Sequence, residues 1–330
     1  MNNKNGQMPV PVLGGGSALP LQRFLTSDID EHARNLGGWH VSYDQVSPGA
    51  FEGELIEFRS GWMQLVRDRS NQALIKSGAA WNGAITFSIP LSAHGPVYCS
   101  GHPIHESSLL VARGDNLPEL HTPQHLDLLS VAIEEQALEH VLQRQGSHFR
   151  ITDLPKCYRL GTSSVQGELA AWFDDLSVSD QRREALLGHD SIRRGLRDAV
   201  MLHLLELIAP DEAPTLTPTA RKRMVDRARE YALSHLDEPL SILDLCNHIG
   251  ASRRKLQYCF QETLGINPVA YLRALRLNAV RRELRMSTQS QGVQDVAARW
   301  GFWHLSRFSG DYRAMFGESP SQTLRRTQLC

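Results

Sequence analysis

The side chains best suited to chemistry in this chain are hydrogen-bonding groups gathered in two short stretches. One holds Ser252, Arg253, Arg254 and Gln257, the other His304, Ser306 and Arg307. Arginine offers a planar fork of N–H groups and glutamine a paired donor and acceptor, the geometry that reads base edges in a DNA groove. Catalytic chemistry has less support. His102-Pro-Ile-His105-Glu106 is the one cluster with a catalytic look, yet its glutamate follows both histidines. A strand-and-loop setting would not place those histidines one helical turn apart, as a zinc-binding helix does. The chain shows no phosphate-cradling GxxxxGK[ST], no GxGxxG after a strand and no nucleophile elbow. The expectation is that the protein is not an enzyme and has no catalytic residues, no metal and no cofactor.

The two stretches belong to a repeat. Asp244 and Gly250 recur as Asp295 and Gly301 at an offset of 51 residues. Leu256, Phe260, Gly265, Pro268, Leu272 and Arg273 recur as Phe308, Tyr312, Gly317, Pro320, Leu324 and Arg325 at an offset of 52, so copy two carries one extra residue just after its glycine. In copy one, Ile242, Leu245 and Ile249 form an apolar stripe at helical spacing, with Ser241 and Asp244 as a capping signal. Gly250 and Gly301 end this first helix. A second follows, burying Leu256, Phe260 and Leu264, or Phe308, Tyr312 and Met315 or Phe316. The pattern is a helix-turn-helix, expected at about 241–264 and about 292–316. Asn267-Pro268 and Ser319-Pro320 each read as an N-cap followed by proline at the first helical position. A helix running from Pro268 to about Ser287 would span roughly 30 Å. It could hold two recognition helices near the roughly 34 Å groove repeat of DNA.

With these motifs in place, residues 219–330 resemble the DNA-binding domain of the AraC/XylS transcription-factor family. Gly301 to Ser309, then Tyr312, Arg313, Phe316, Gly317, Ser319 and Pro320, follow that family's signature in order and spacing. By position, the resemblance implies base reading by Arg254, Gln257 and Tyr258 in the first recognition helix, and by Leu305, Ser306, Arg307 and Gly310 in the second. Leu305 and Gly310 have no group to donate to a base, so the first unit is expected to carry more of the specificity. The family further implies a cupin-like sensor barrel, a homodimer and double-stranded promoter DNA as partner. Contact with RNA polymerase follows if the protein is an activator. A small-molecule effector is left open. The alternatives are a regulator without a ligand, controlled by abundance or a protein partner in quorum-sensing or virulence control, and a DNA-tethered barrel enzyme.

Charge divides the chain in the same way. It is near neutral overall at −1, but residues 219–330 hold 18 of the 35 lysines and arginines and only 10 of the 36 acids. A basic third beside an acidic two-thirds suits one nucleic-acid-binding domain and one that is not. Lys255, Arg273, Arg276, Arg281, Arg282, Arg285, Arg325 and Arg326 are phosphate candidates. The five cysteines form no CxxC pair, and Cys246 and Cys259 fall at inward helix positions. No membrane span and no signal peptide are read from the sequence, and a cytoplasmic location is expected.

The fold class expected is α+β: an N-terminal antiparallel β-barrel with helices, followed by an all-α double helix-turn-helix domain. Residues 1–20 read as a mobile arm, 21–209 as a sensor and dimerisation domain, 210–218 as a proline-marked linker and 219–330 as the DNA-binding domain. The barrel is expected over about 38–112 from short β-like runs broken by turns such as Asn82-Gly83. Helices are expected at 123–145, 165–176 and 180–208, the last interrupted near Gly188. Trp39, Trp62, Trp81, Phe87 and Tyr98 line a small-molecule pocket or pack the core. The stripe Leu196, Val200, Leu204 and Leu207 packs internally or forms the dimer contact.

Overall fold

The computed structural model describes residues 21–104, 108–144, 151, 157–161, 167, 171, 173–174, 185–207, 216–235, 241–286 and 292–328. The N-terminal part is built from two antiparallel sheets. The larger contains β1 (Leu21–Thr26), β3 (Gly53–Ser60), β4 (Met63–Ser70), β6 (Ala84–Ala93), β9 (Ser108–Arg113), β11 (Leu126–Glu134) and β12 (Cys157–Gly161), in the order β1-β3-β4-β11-β6-β9-β12. The smaller contains β2 (His40–Gln45), β5 (Leu74–Ala79), β7 (Val97–Cys99), β8 (His102–Ile104) and β10 (Leu117–Thr122), in the order β2-β5-β10-β7-β8. The sheets face each other, and their ladders do not join into one closed barrel. The expected fold class holds, with an open two-sheet form of the barrel.

Alternation along the larger sheet explains its burial on both faces. Phe58, Leu65, Phe87, Val111, Leu129 and Val131 point to the outer face, where they pack with Leu138 and Leu142 of α2 (Glu135–Arg144) and Val200 and Leu204 of α3 (Asp190–Leu207). Leu55, Val66, Leu110 and Leu128 point toward the smaller sheet. The short α1 (Ile29–Arg34), capped by Asp28, closes one end.

Two expectations are corrected here. The first part of the helix expected from Pro123 is a strand: β11 pairs with β4 on one side and β6 on the other, and only Glu135–Arg144 is helical. Leu126, Leu129 and Ile133 match helical spacing, but a central strand buried on both faces is apolar at nearly every position, so the helical subset arises by coincidence. The stripe on α3 faces inward. Val200 and Leu204 are fully buried against the sheet and Leu196 packs beside them, which is the internal-packing alternative and not an outward contact. The side chain of Leu207, and most of the stretches 165–176 and 180–184, lie outside the described residues.

Among the described residues, seven helices follow α3 through the C-terminal part: α4 (Ala220–Ser234), α5 (Ile242–Ile249), α6 (Arg253–Leu264), α7 (Pro268–Met286), α8 (Val293–Arg299), α9 (Leu305–Phe316) and α10 (Pro320–Gln328). The first half of α7, through Tyr271, Leu272 and Leu275, shares a core with Leu245, Ile249, Leu256 and Phe260. The second half, through Leu277, Val280 and Leu284, shares another with Val296, Phe308, Tyr312 and Phe316. One helix is thus the common wall of two small helical units.

Candidate nucleic-acid interface

Local sequence explains each unit. Ser241 and Asp244 form a reciprocal capping box at the start of α5, and Gly250 ends that helix at φ 69°. A side chain at such a left-handed φ would be strained, so glycine permits the turn. Ser252 caps α6 by accepting from the Lys255 N–H at 3.2 Å. In the second unit Gly301 turns at φ 76°. Here α8 has only half a box: the Asp295 carboxylate accepts from the Gly292 N–H, but glycine has no side chain to return the bond. His304 precedes α9 without a side-chain cap. Asn267 and Ser319 cap α7 and α10 as the sequence indicated.

The inner faces of α6 and α9 are sealed, with Leu256, Phe260, Phe308 and Tyr312 fully buried. Cys246 and Ala297 are buried where the helices of each unit cross, and Cys259 is buried too. The outer faces leave Ser252, Arg253, Arg254, Lys255, Gln257 and Tyr258 exposed on the first unit, and His304, Ser306, Arg307 and Gly310 on the second. Leu305 is half-buried. The Ser252 hydroxyl oxygen is engaged as a cap, which competes with base contact.

The structure separates the phosphate candidates. Lys255, Arg325 and Arg326 are exposed, although Arg326 reaches Glu318 at 3.0 Å. Arg273 pairs with Asp311, and burial with the nearby Arg307 charge lowers its pKa. Arg276 is half-buried, its Nε has no hydrogen-bond partner, and burial lowers its pKa. Arg281 is buried against Asp28 and Asp30, Arg282 pairs with Asp44, and Arg285 with Asp28. These last three were expected to face phosphate; instead the acidic surface of the N-terminal part holds them. Sequence spacing showed that they share a helix end but not what folds back onto it.

Two exposed aromatic features escaped the sequence reading. Trp303 is 59% exposed immediately before α9, and it occupies the turn lengthened by the one-residue offset. Arg221 on α4 lies 5.5 Å over the Tyr258 ring, joining α4 to the outer face of α6. The offset itself was the available signal for Trp303.

The N-terminal candidates part company as well. A cavity of about 60 Å³ lies between the sheets, walled by residues including Trp39, Val41, Tyr43, Leu110 and Leu128. Asp68, Lys76, Thr86, Ser88 and Ser130 supply its polar groups. Of the five aromatic candidates, only Trp39 lines it. Phe87 packs on the opposite face of the sheet, Trp62 lies under the Arg197 guanidinium, Trp81 donates to Gln64, and Tyr98 sits beside His121. Asp68 accepts from Tyr43 at 3.0 Å and Lys76 at 2.6 Å, and bonds His32 at 3.0 Å. These partners, Lys76 above all, hold its carboxyl well below the usual range despite burial. Burial pushes His121 down to about 4. His102 bonds the Thr217 carbonyl at 2.7 Å, while His105 and Glu106 lie outside the described residues. Among the described residues no group of three or more His, Cys, Asp or Glu could hold a metal, and no helix is long and apolar enough to cross a membrane.

A family model described as a helix-turn-helix domain matches residues 245–326. The chain is 32% identical over 209 residues to a probable thc operon regulatory protein of Rhodococcus erythropolis, covering 62% of this chain and 63% of that one. The chain therefore spans less than two thirds of that relative's length. It is 32% identical over 130 residues to XylDLEGF operon transcriptional activator 2 of Pseudomonas putida, covering 37% of this chain and 83% of that one. Among solved structures, a probable AraC family transcriptional regulator from Rhodopseudomonas palustris is 33% identical, with 32% of this chain and 97% of that one covered, at a TM-score of 0.30. On the strength of the sequence matches to the two units and the helix between them, the chain belongs to the AraC/XylS family of transcriptional regulators.

Proposed function

We propose that the protein is a sequence-specific regulator that sets α6 and α9 into successive major grooves of promoter DNA. The observation that carries this reading is the packing of two sealed helices on opposite halves of the 19-residue α7, each with its hydrogen-bonding side chains outward. That helix is about 29 Å long at 1.5 Å per residue, close to the roughly 34 Å between neighbouring major-groove faces. Arg254, Gln257 and Tyr258 in the first unit, with Arg253 beside them, and His304, Ser306 and Arg307 in the second, read base edges. Lys255 and Arg325 fix the register on phosphates. Residues 219–330 form the DNA-binding domain, and 21–209 the sensing and dimerising domain of a homodimer. Activation, with an RNA polymerase contact, is the direction suggested by the name of the P. putida relative. Genome-wide mapping of binding sites tests the reading: paired half-sites upstream of regulated genes support it, and binding without sequence preference overturns it.

A second reading has a specific observation in its favour. The inter-sheet cavity is about 60 Å³, far below the roughly 300–1,000 Å³ of ordinary ligand sites. A regulator governed by its abundance or by a protein partner, as in quorum-sensing or virulence control, needs no larger cavity. A thermal-shift screen with small metabolites separates the two, because a sensor is stabilised by its effector.

A further inference from the structure

Strand β2 is engaged on two sides. Its Val41 and Tyr43 line the inter-sheet cavity, where the Tyr43 hydroxyl donates to the buried Asp68 carboxylate. The next residue, Asp44, pairs with Arg282 and lies 3.7 Å from Arg229. One step further, the Gln45 main chain meets Asn278 of α7 in both directions: its N–H donates to Oδ1 at 3.0 Å, and its carbonyl accepts from Nδ2 at 2.8 Å. β2 is the edge of its sheet, and an edge strand leaves such groups open. Here a side chain of the helix shared by both DNA-reading units closes it.

The same end of α7 is clasped by charge. Arg281 pairs with Asp28 and lies 3.0 Å from Asp30, Arg282 lies 3.5 Å from Asp30, and Arg285 pairs with Asp28. Three arginines within five residues therefore meet three aspartates of the N-terminal domain. Carboxylates and phosphates accept from the same guanidinium N–H groups, so one arginine cannot serve both fully at once. The backbone adds to the grip: the Gly49 N–H donates to the Ala314 carbonyl at 3.0 Å, at the end of α9.

We propose that Asp28, Asp30 and Asp44 form an autoinhibitory clasp that competes with DNA phosphates for Arg281, Arg282 and Arg285, and that β2 makes its grip depend on the cavity. The proposal rests on the reading above, that the chain binds DNA and that residues 21–209 form its sensing domain. Filling or emptying the cavity moves the wall that carries Tyr43. Asp44 and Gln45 follow in the same strand and change their hold on α7.

The test uses the full chain and a duplex of about 30 base pairs of arbitrary sequence, long enough for both grooves. Asp28→Asn/Asp30→Asn/Asp44→Asn removes the charge while leaving an asparagine to cap α1. Anisotropy titrations across a salt series should show about tenfold tighter binding at low salt, with the log–log slope steeper by about 2. Hydrogen exchange at the Gln45 amide and along α7 should quicken. Unchanged exchange shows that the acids do not hold the helix, and faster exchange without tighter binding shows that the released arginines do not serve DNA; either overturns the clasp. For the link through β2, Ser130→Leu fills the cavity and Ser130→Ala enlarges it. The two should shift Gln45 exchange in opposite directions and DNA affinity by about threefold, within the usual range of coupling between sites. No shift in either variant overturns the link. Failure of the wild-type chain to bind any duplex would sink the DNA-binding reading instead.

Discussion

The two helix-turn-helix units share a plan but differ in how they are finished. The first has a complete capping box on α5, a serine cap on α6 and a minimal turn from Gly250 to Ser252. The second has half a box, no side-chain cap on α9 and a turn one residue longer, from which Trp303 projects. Their cores do not differ in kind: Phe260 with Tyr271 in one, and Phe308, Tyr312 and Phe316 in the other, meet edge to face at 4.8–5.7 Å. Packing is therefore duplicated, while caps and exposed chemistry have diverged. The core has to fit α7 at both places, whereas the outer faces answer only to what they touch.

That comparison can be pressed at several levels. Phe260→Ala and Phe308→Ala should each cost about 3–5 kcal/mol in stability, because both side chains are fully buried. Denaturant melts of the two variants measure this, and a large inequality would break the view of equivalent cores. Arg254→Ala should cost about 1–3 kcal/mol in operator binding and relax base preference locally. Arg307→Ala should cost less, since it lies beside Arg273 in the unit poorer in base-reading groups. Mobility shifts on an operator series decide the order, and the reverse ranking would overturn the primacy of the first unit. Trp303→Ala should weaken operator binding by roughly 1 kcal/mol, the scale of one hydrogen bond or its equivalent in contact. If it binds as the wild type does, the longer turn adds nothing at the interface. The smallest effect is a gain: Gly292→Ser completes the half box and should stabilise the second unit by a few tenths of a kcal/mol. Gly292 already has the extended backbone of a capping residue, at φ −83° and ψ 157°.

Much of this was legible in the chain itself because its causes are local. Offsets of 51 and 52 residues located both units, the glycine turns and the helix-start prolines, and even announced the longer turn. The exposed faces followed from helical periodicity, so Arg254, Gln257 and Arg307 could be named without coordinates. The N-terminal half was less readable. Short strands such as β8 and β10 carry few residues of pattern, and β11, apolar on both faces, imitates a helix. The aromatic candidates also scattered: Trp62 sits in the turn between β3 and β4, and Phe87 on a strand whose register decides which face it occupies. A one-residue change in register sends such a side chain from cavity to core.

The sequence by itself determined the repeat, the capping, the glycine turns, the division of charge and the outward set of donors, because each depends on residues within a turn or two of one another. The tertiary structure alone decided which arginines remain available. Arg281, Arg282 and Arg285 look in sequence like the other cations of a basic domain, but Asp28, Asp30 and Asp44, more than two hundred residues away, hold them. Their fate depends on where the N-terminal sheet edge meets α7, and that is a matter of long-range packing that no local pattern encodes.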